Sequence, residues 1–190
     1  MRFDDLVFVT SNPGKLREAE AVLGRSLDHS GLELPELQTL DLEEVVRAKA
    51  KAAWERLGRP VLVEDTGLEL AGLGGFPGPL VRWLLTSVGP EGICRIAECF
   101  EDPRVTARCL VCATDGSAEV FGEGIVEGTI ARAPRGEGGF GWDSVFVPTD
   151  GGDRSYGEMS EEEKNRISHR HKAFIALRDA LAAHPSDTRS

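Results

Sequence analysis

Long apolar runs, an excess of positive charge, internal repeats and low-complexity linkers are all missing from this 190-residue sequence. No apolar run approaches the ~20 residues that a membrane-spanning helix needs. The start, Met1-Arg2-Phe3-Asp4-Asp5, has acids where a signal peptide has its positive region, and residues 6–9 are too short for an apolar h-region. The expectation is a cytoplasmic protein with no membrane partner. Lys and Arg number 22 against 32 Asp and Glu, a net charge of -10. Nothing therefore draws the whole surface to a polyanion, and nucleic acid is not an expected partner. An anionic substrate would need local basic residues and a divalent cation to overcome that repulsion. Cysteine is scarce, with four residues at 94, 99, 109 and 112. A chain this long can bury a core without covalent staples, so reduced, buried thiols are expected. Cys109 and Cys112 lie in a strand-like run, where residues three apart face opposite ways, which argues against a metal pair.

The apolar share of 41%, the charged share of 28% and the 22 glycines are ordinary for a globular chain, which excludes a disordered or collagen-like protein. The length fits one domain, here residues 1–183, with a polar tail at 184–190 expected to fray. A strand at 6–10 runs into Ser11-Asn12-Pro13-Gly14 and a helix at 14–23, with Asn12 as cap, Pro13 at the first helical position and Gly24 as stop. A strand-like stretch at 32–34 follows. Asp41 caps a helix reaching Leu57, with Glu44 completing a capping-box pattern and Glu43–Arg47 and Lys51–Glu55 on one solvated face. A short buried strand at 61–63 ends at Glu64-Asp65-Thr66-Gly67. Packing helices are expected at 80–88 and 90–100. Strands at 105–113 and 118–131 come next, the second interrupted by glycines in the manner of bulges. A glycine-rich loop at 134–141 feeds a strand at 144–147, and helical sequence fills 160–183, with Ser168 a candidate fresh start. Helices early and late with strands between give a mixed α/β class.

Several segments hold groups suited to chemistry. Thr10 to Lys15 sets hydroxyls, an amide and a cation at a strand-to-helix junction, where backbone N–H groups favour an anion. It is not a Walker A loop, because Val9 stands where the first glycine belongs and Leu16 follows the lysine. An ordinary capped helix would read the same. Glu64 and Asp65, at the carboxyl end of a strand, point where α/β folds bind ligands, and carboxylates there hold a hard cation or act as bases. Gly136-x-Gly138-x-x-Gly141 matches a dinucleotide fingerprint literally but leads into a strand late in the chain, the wrong context. Gly139-Phe140-Gly141-Trp142-Asp143 offers aromatic faces and an acceptor suited to a planar base. Lys164, His169, Arg170, His171 and Lys172 form the densest basic cluster.

Taken in order, Thr10-Ser11-Asn12-x-x-Lys15, Leu34-Pro35-Glu36-Leu37-Gln38, the run Val61 to Thr66, the run Leu73 to Pro79, Gly139-Phe140-Gly141-Trp142-Asp143 and Glu163-Lys164-Asn165-x-Ile167-Ser168-His169-Arg170 resemble the inosine triphosphate pyrophosphatase family. Val-Glu-Asp-Thr and Phe-Gly-Trp-Asp are similar to its eukaryotic branch. The resemblance covers about residues 7–181. It implies an elongated mixed-sheet α/β fold of two lobes around a central cleft, commonly a homodimer. It implies hydrolysis of deaminated purine nucleoside triphosphates (ITP, dITP, XTP) to the monophosphate and pyrophosphate with magnesium, or manganese as a second candidate. By position, Thr10, Ser11, Asn12, Pro13, Gly14 and Lys15 would hold phosphate. Glu36 and Asp65 would bind the metal, and Asp65 would also be the general base. Thr66, Lys49 and Arg82 would touch the ligand; Phe140, Gly141, Trp142 and Asp143 would line the base pocket. Lys164, His169 and Arg170 would close on phosphate and base.

Three departures stand out: Ser11 for the commoner glycine, Arg82 for a frequent lysine, and Ser144 for the usual proline. They crowd the loop, change the geometry of a charge and free a φ angle, but delete no charged group the chemistry needs. A related pyrophosphatase for modified pyrimidine triphosphates would use the same phosphate machinery. A silent nucleotide-binding module would keep the pocket but lose a metal carboxylate, and both Glu36 and Asp65 are present.

Overall fold

The computed structural model describes residues 1–183; the tail at 184–190, and the expectation for it, lie outside the described residues. Strands β1 (Val7–Val9), β2 (Asp28–Ser30), β3 (Val61–Leu70), β4 (Pro77–Gly78), β5 (Arg104–Thr114), β6 (Glu119–Ile130) and β7 (Phe146–Pro148) form one mixed sheet in the order β2-β1-β3-β5-β6-β7, with β4 beside β3. Helices α1 (Pro13–Leu23), α2 (Leu42–Leu57), α3 (Val81–Ala97), α4 (Glu161–Ile167) and α5 (His169–Ala183) cover it. Among the described residues, no helix is long and apolar enough to cross a membrane.

The long central strands have two differently covered ends. At one end, Leu62, Cys109, Val111 and Ala113 pack under α1 and α5, while Val61, Val63, Leu110 and Cys112 pack under α2 on the opposite face. Strand alternation thus sends Cys109 and Cys112 to different cores. At the other end, Leu68, Leu70, Val105, Ala107 and Val126 pack with Ile93 of α3, Trp142 and Tyr156. The reverse face there is left to charge: Arg108 bridges Glu69 and Glu123 across the strands. The cleft lies where these two ends meet.

The ladder corrects several expectations. Strand β3 does not stop at residue 63. It pairs antiparallel with β5 without a break from Val61↔Thr114 to Leu70↔Val105. Gly67 is therefore in the strand and not in a tight turn; its missing side chain lets Gly78 and Pro79 approach, since a Cβ there would meet their backbone at 3.1–3.3 Å. The glycines of β6 make no bulge, for the β5–β6 register is continuous. Gly122 and Gly124 clear room for α5 instead, because a Cβ on Gly124 would lie 1.9 Å from the His169 carbonyl oxygen, and Gly128 clears room for Phe146 and Val147. The strand expected at 32–34 is absent; Leu32 and Leu34 pack on the α2 core, and the polar Asp28–Ser30 forms the edge ladder. Helix α3 kinks at Gly89 (φ 69°), matching the two helices expected there. Ser168 separates α4 from α5 and accepts from the His171 N–H at 3.1 Å, a fresh helix start. Asp41 caps α2 as expected, but Glu44 bonds Thr39 and does not close the box. All four cysteines are free thiols, and Cys99 is exposed, against the expectation of burial.

Candidate active site

Alternation along β3 separates two neighbouring acids. Residues 62 and 64 face α1 and α5, whereas 61, 63 and 65 face α2. Strand β1 pairs with β3 at Val7↔Val61 and Phe8↔Leu62, so its exit loop starts beside Glu64 and Asp65. Glu64 is buried, 5% exposed. Arg170 grips it with Nε 2.7 Å from Oε2 and Nη2 3.1 Å from Oε1, and Lys15 Nζ lies 2.8 Å from Oε1. Burial alone would raise its pKa, but Arg170 and then Lys15 outweigh burial and hold the carboxyl well below the usual range. Both oxygens are thus committed to Arg170 and Lys15, although Glu64 and Lys15 also border the cavity described below. The Cys109 thiol next to it is pushed up by burial and by the Glu64 charge.

Asp65 turns the other way. Its Oδ2 accepts from Lys49 Nζ at 3.0 Å and its Oδ1 from the Thr66 N–H at 2.9 Å, with Lys15 Nζ 3.9 Å from Oδ1. Glu36, in the loop before α2, places Oε1 2.9 Å from Arg82 Nη1 and 4.0 Å from the same Lys49 Nζ. Lys49 therefore joins two carboxylates far apart in sequence. Among the described residues no group of three or more His, Cys, Asp or Glu forms a metal cluster. The candidate ligand set is this pair.

The pair borders a cavity of about 770 Å³. Thr10, Ser11, Asn12, Pro13 and Lys15 line it, together with Glu64, Lys49, Thr66 and Arg82 near the acids and Phe140, Gly141 and Trp142 from the loop after β6. The start of α1 is less open than a bare phosphate cradle. Asn12 Oδ1 accepts from the Gly14 N–H at 2.8 Å and the Lys15 N–H at 3.3 Å, so the cap occupies both. Gly14 is not a lining residue; a Cβ on it would lie 2.7 Å from the Phe140 ring, so the glycine lets Phe140 sit on the helix start.

Asp143, Lys164, His169 and Arg170 are not among the lining residues either. They form a buried layer behind the wall. Lys164 Nζ is 2.6 Å from both Asp143 Oδ2 and Glu18 Oε1, and Glu18 also pairs with Arg170. Burial holds the Asp143 carboxyl above the usual range despite Lys164. Phe140 packs on this layer, with Lys164 Nζ 4.8 Å and Arg170 Cζ 5.5 Å from its ring centre. Trp142 stacks on His169 at 5.3 Å, and His169 on Tyr156 at 6.1 Å. Burial first, then Arg170 and Lys164, push His169 well below its ordinary pKa, so the ring is neutral. Its Nδ1 is buried without a hydrogen-bond partner among the described residues.

Glu18 was missed by sequence reading. The signal was an acid on the inward stripe of α1, one turn after Gly14 and one turn before Val22, where the helix pattern calls for an apolar residue.

A model of the Ham1 family matches residues 6–180. The chain belongs to the Ham1 family. Within it, the chain is 46% identical over 177 residues to inosine triphosphate pyrophosphatase 2 of Trypanosoma cruzi, covering 91% of this chain and 90% of that protein. It is 47% identical over 182 residues to the inosine triphosphate pyrophosphatase of Yarrowia lipolytica, covering 93% and 95%. Both are eukaryotic proteins, the branch to which the Val-Glu-Asp-Thr and Phe-Gly-Trp-Asp motifs pointed. Among solved structures, a HAM1 protein from Coxiella burnetii superposes with a TM-score of 0.78 at 27% identity, over 94% of this chain and 99% of that one. The mixed α/β sheet is thus a Ham1 fold.

Proposed function

We propose that this Ham1-family protein hydrolyses deaminated purine nucleoside triphosphates (ITP, dITP and XTP) to the monophosphate and pyrophosphate. The observation that supports this most is the convergence of Glu36, Asp65 and Lys49 at one cavity that Lys15 and Trp142 also line. The relatives named for inosine triphosphate pyrophosphatase activity cover nearly the whole chain.

Glu36 and Asp65 fit a hard dication, since one ammonium nitrogen already lies within 3.0 and 4.0 Å of their oxygens. Two carboxylates, completed by phosphate oxygens and water, suit magnesium, with manganese as the alternative. Bound there, the ion would neutralise phosphate charge and acidify water. The chain's own residues supply the rest. The Asp65 carboxylate orients a water in line with the α-phosphorus and takes its proton as the new P–O bond forms. The bond from that phosphorus to the bridging oxygen breaks, and pyrophosphate leaves with the electron pair. Lys15 and Lys49 offset the triphosphate charge; at an effective dielectric near 20, each unit charge ~4 Å away contributes roughly 4 kcal/mol. Trp142, braced by His169, gives the purine a flat face.

Pyrophosphate release from ITP, dITP, XTP, GTP and UTP, with and without magnesium, tests the assignment. The deaminated purines are expected to turn over fastest. Preference for UTP would favour the pyrimidine reading, and ITP binding without pyrophosphate release under any divalent metal would leave only a binding module. A homodimer is part of the proposal on the family resemblance alone; sedimentation velocity separates it from a 20.6 kDa monomer.

A further inference from the structure

The two acids assigned to the dication are not open to one in the free protein. Lys49 Nζ lies 3.0 Å from Asp65 Oδ2 and 4.0 Å from Glu36 Oε1, between the groups that would hold the ion. Its side chain is 12% exposed, so it is packed into this position and not waving in solvent. Val46, Ala50 and Ala53 anchor α2 in the core with no exposure, which fixes the lysine's backbone and leaves only its side chain free to depart. Arg82 is different. Among the described residues its side chain pairs only with Glu36, and it is 72% exposed, so it can swing away at little cost.

A dication must compete with this enclosed ammonium for the same oxygens. The competition ends when a polyphosphate enters the cavity, because the lysine then has a second set of anionic oxygens to follow. We propose that Lys49 is an internal counter-cation: it bars free dications from the Glu36–Asp65 pair and releases the pair when a polyphosphate arrives to take up its charge. The inference rests on the reading of Glu36 and Asp65 as the ion's holders. It makes Lys49 a positioning residue that couples ion binding to substrate binding, in addition to any contact with phosphate. By linkage the coupling is reciprocal.

The test is manganese binding to the nucleotide-free full-length protein, read from the paramagnetic resonance signal of free Mn²⁺. The wild type is expected to bind weakly, and Lys49→Gln at least tenfold more tightly. Lys49→Arg, which keeps the charge, should remain weak, and Lys51→Gln should behave as wild type, because Lys51 lies on the same helix with its side chain 76% exposed. Adding Asp65→Asn to Lys49→Gln should abolish the gain, which locates the ion at this pair. Lys49→Met, which keeps the aliphatic stem, replaces Lys49→Gln should the latter not fold. Equal Mn²⁺ affinity in wild type and Lys49→Gln, or an equal gain in Lys51→Gln, overturns the proposal. A wild type that releases pyrophosphate while Lys49→Gln gains no Mn²⁺ refutes the counter-cation role and leaves the hydrolase reading intact. A Mn²⁺ gain in a protein that never releases pyrophosphate does the reverse.

Discussion

Arg170 meets Glu64 edge to edge, Nε to Oε2 at 2.7 Å and Nη2 to Oε1 at 3.1 Å, while the adjacent Asp65, on the opposite strand face, meets Lys49 at 3.0 Å; both acids border the cavity. One residue of strand alternation therefore separates a structural carboxylate from a chemical one. Glu64→Gln removes the carboxylate that Arg170 and Lys15 share, leaving Arg170 with Glu18 and Lys15 with Asp65, and is expected to cost about 3 kcal/mol. Asp65→Asn, whose side chain is 15% exposed and keeps an acceptor oxygen for Lys49, should cost less, about 1–2 kcal/mol. Urea unfolding of the two variants checks this; equal losses would contradict the division of roles.

Acid stability has a definite sign. His169 is neutral when folded because its pKa is held well below 6.5, whereas the unfolded chain takes up its proton near 6.5. Below that pH the unfolded state binds more protons, so stability falls by up to about 1.4 kcal/mol per pH unit for this group. His171, lowered by burial, acts in the same direction. Glu64 adds a second loss: its contribution is complete above the unfolded carboxyl pKa of 4.5 and disappears as pH falls further toward its lowered folded value. Unfolding free energy measured from pH 7 to 4 should decline from about 6.5 and steepen below 4.5. His169→Gln should flatten the first part; an unchanged slope would show that His169 is not the group responsible.

The close approach of α5 to β6 makes Gly124 a sensitive position. Gly124→Ala forces a methyl into the His169 carbonyl and is expected to destabilise by at least about 2 kcal/mol. Gly31→Ala, with none of the described residues beyond its chain neighbours within 4 Å of the added carbon, should lie within about 0.5 kcal/mol of wild type. Thermal melts of both variants decide the matter, and similar melting temperatures would contradict the packing described.

Thiol reactivity follows the cores. Cys94, Cys109 and Cys112 are buried, and burial pushes the Cys112 thiol up to about 12. A thiol reagent at pH 8 should label Cys99 rapidly in the folded protein and all four cysteines only after unfolding. Fast labelling of Cys109 or Cys112 would contradict the sheet faces assigned to them.

What was legible in the sequence were the features written in local chemistry. Asn12 and Asp41 cap helices because a short polar acceptor precedes each one, and the mixed α/β class follows from element types in order. Glu36, Asp65, Lys15 and Lys49 do come together. The length of β3 was hidden because Thr66-Gly67 reads as a turn, and only pairing with the whole of β5 keeps that segment extended. The polar Asp28–Ser30 strand was hidden because ladder hydrogen bonds need no apolar side chains. The inward turn of Asp143, Lys164 and Arg170 was hidden because their partner Glu18 lies far away in sequence, and no spacing rule brings α1 to α5.

The central claim is hydrolysis at the α-phosphorus with Asp65 as the base, and product stoichiometry tests it most directly. Purified protein incubated with ITP and magnesium should yield inosine monophosphate and pyrophosphate in equal amounts, and Asp65→Asn should lose that turnover by orders of magnitude at a near-native melting temperature. Formation of inosine diphosphate and orthophosphate, or wild-type turnover by Asp65→Asn, would contradict it.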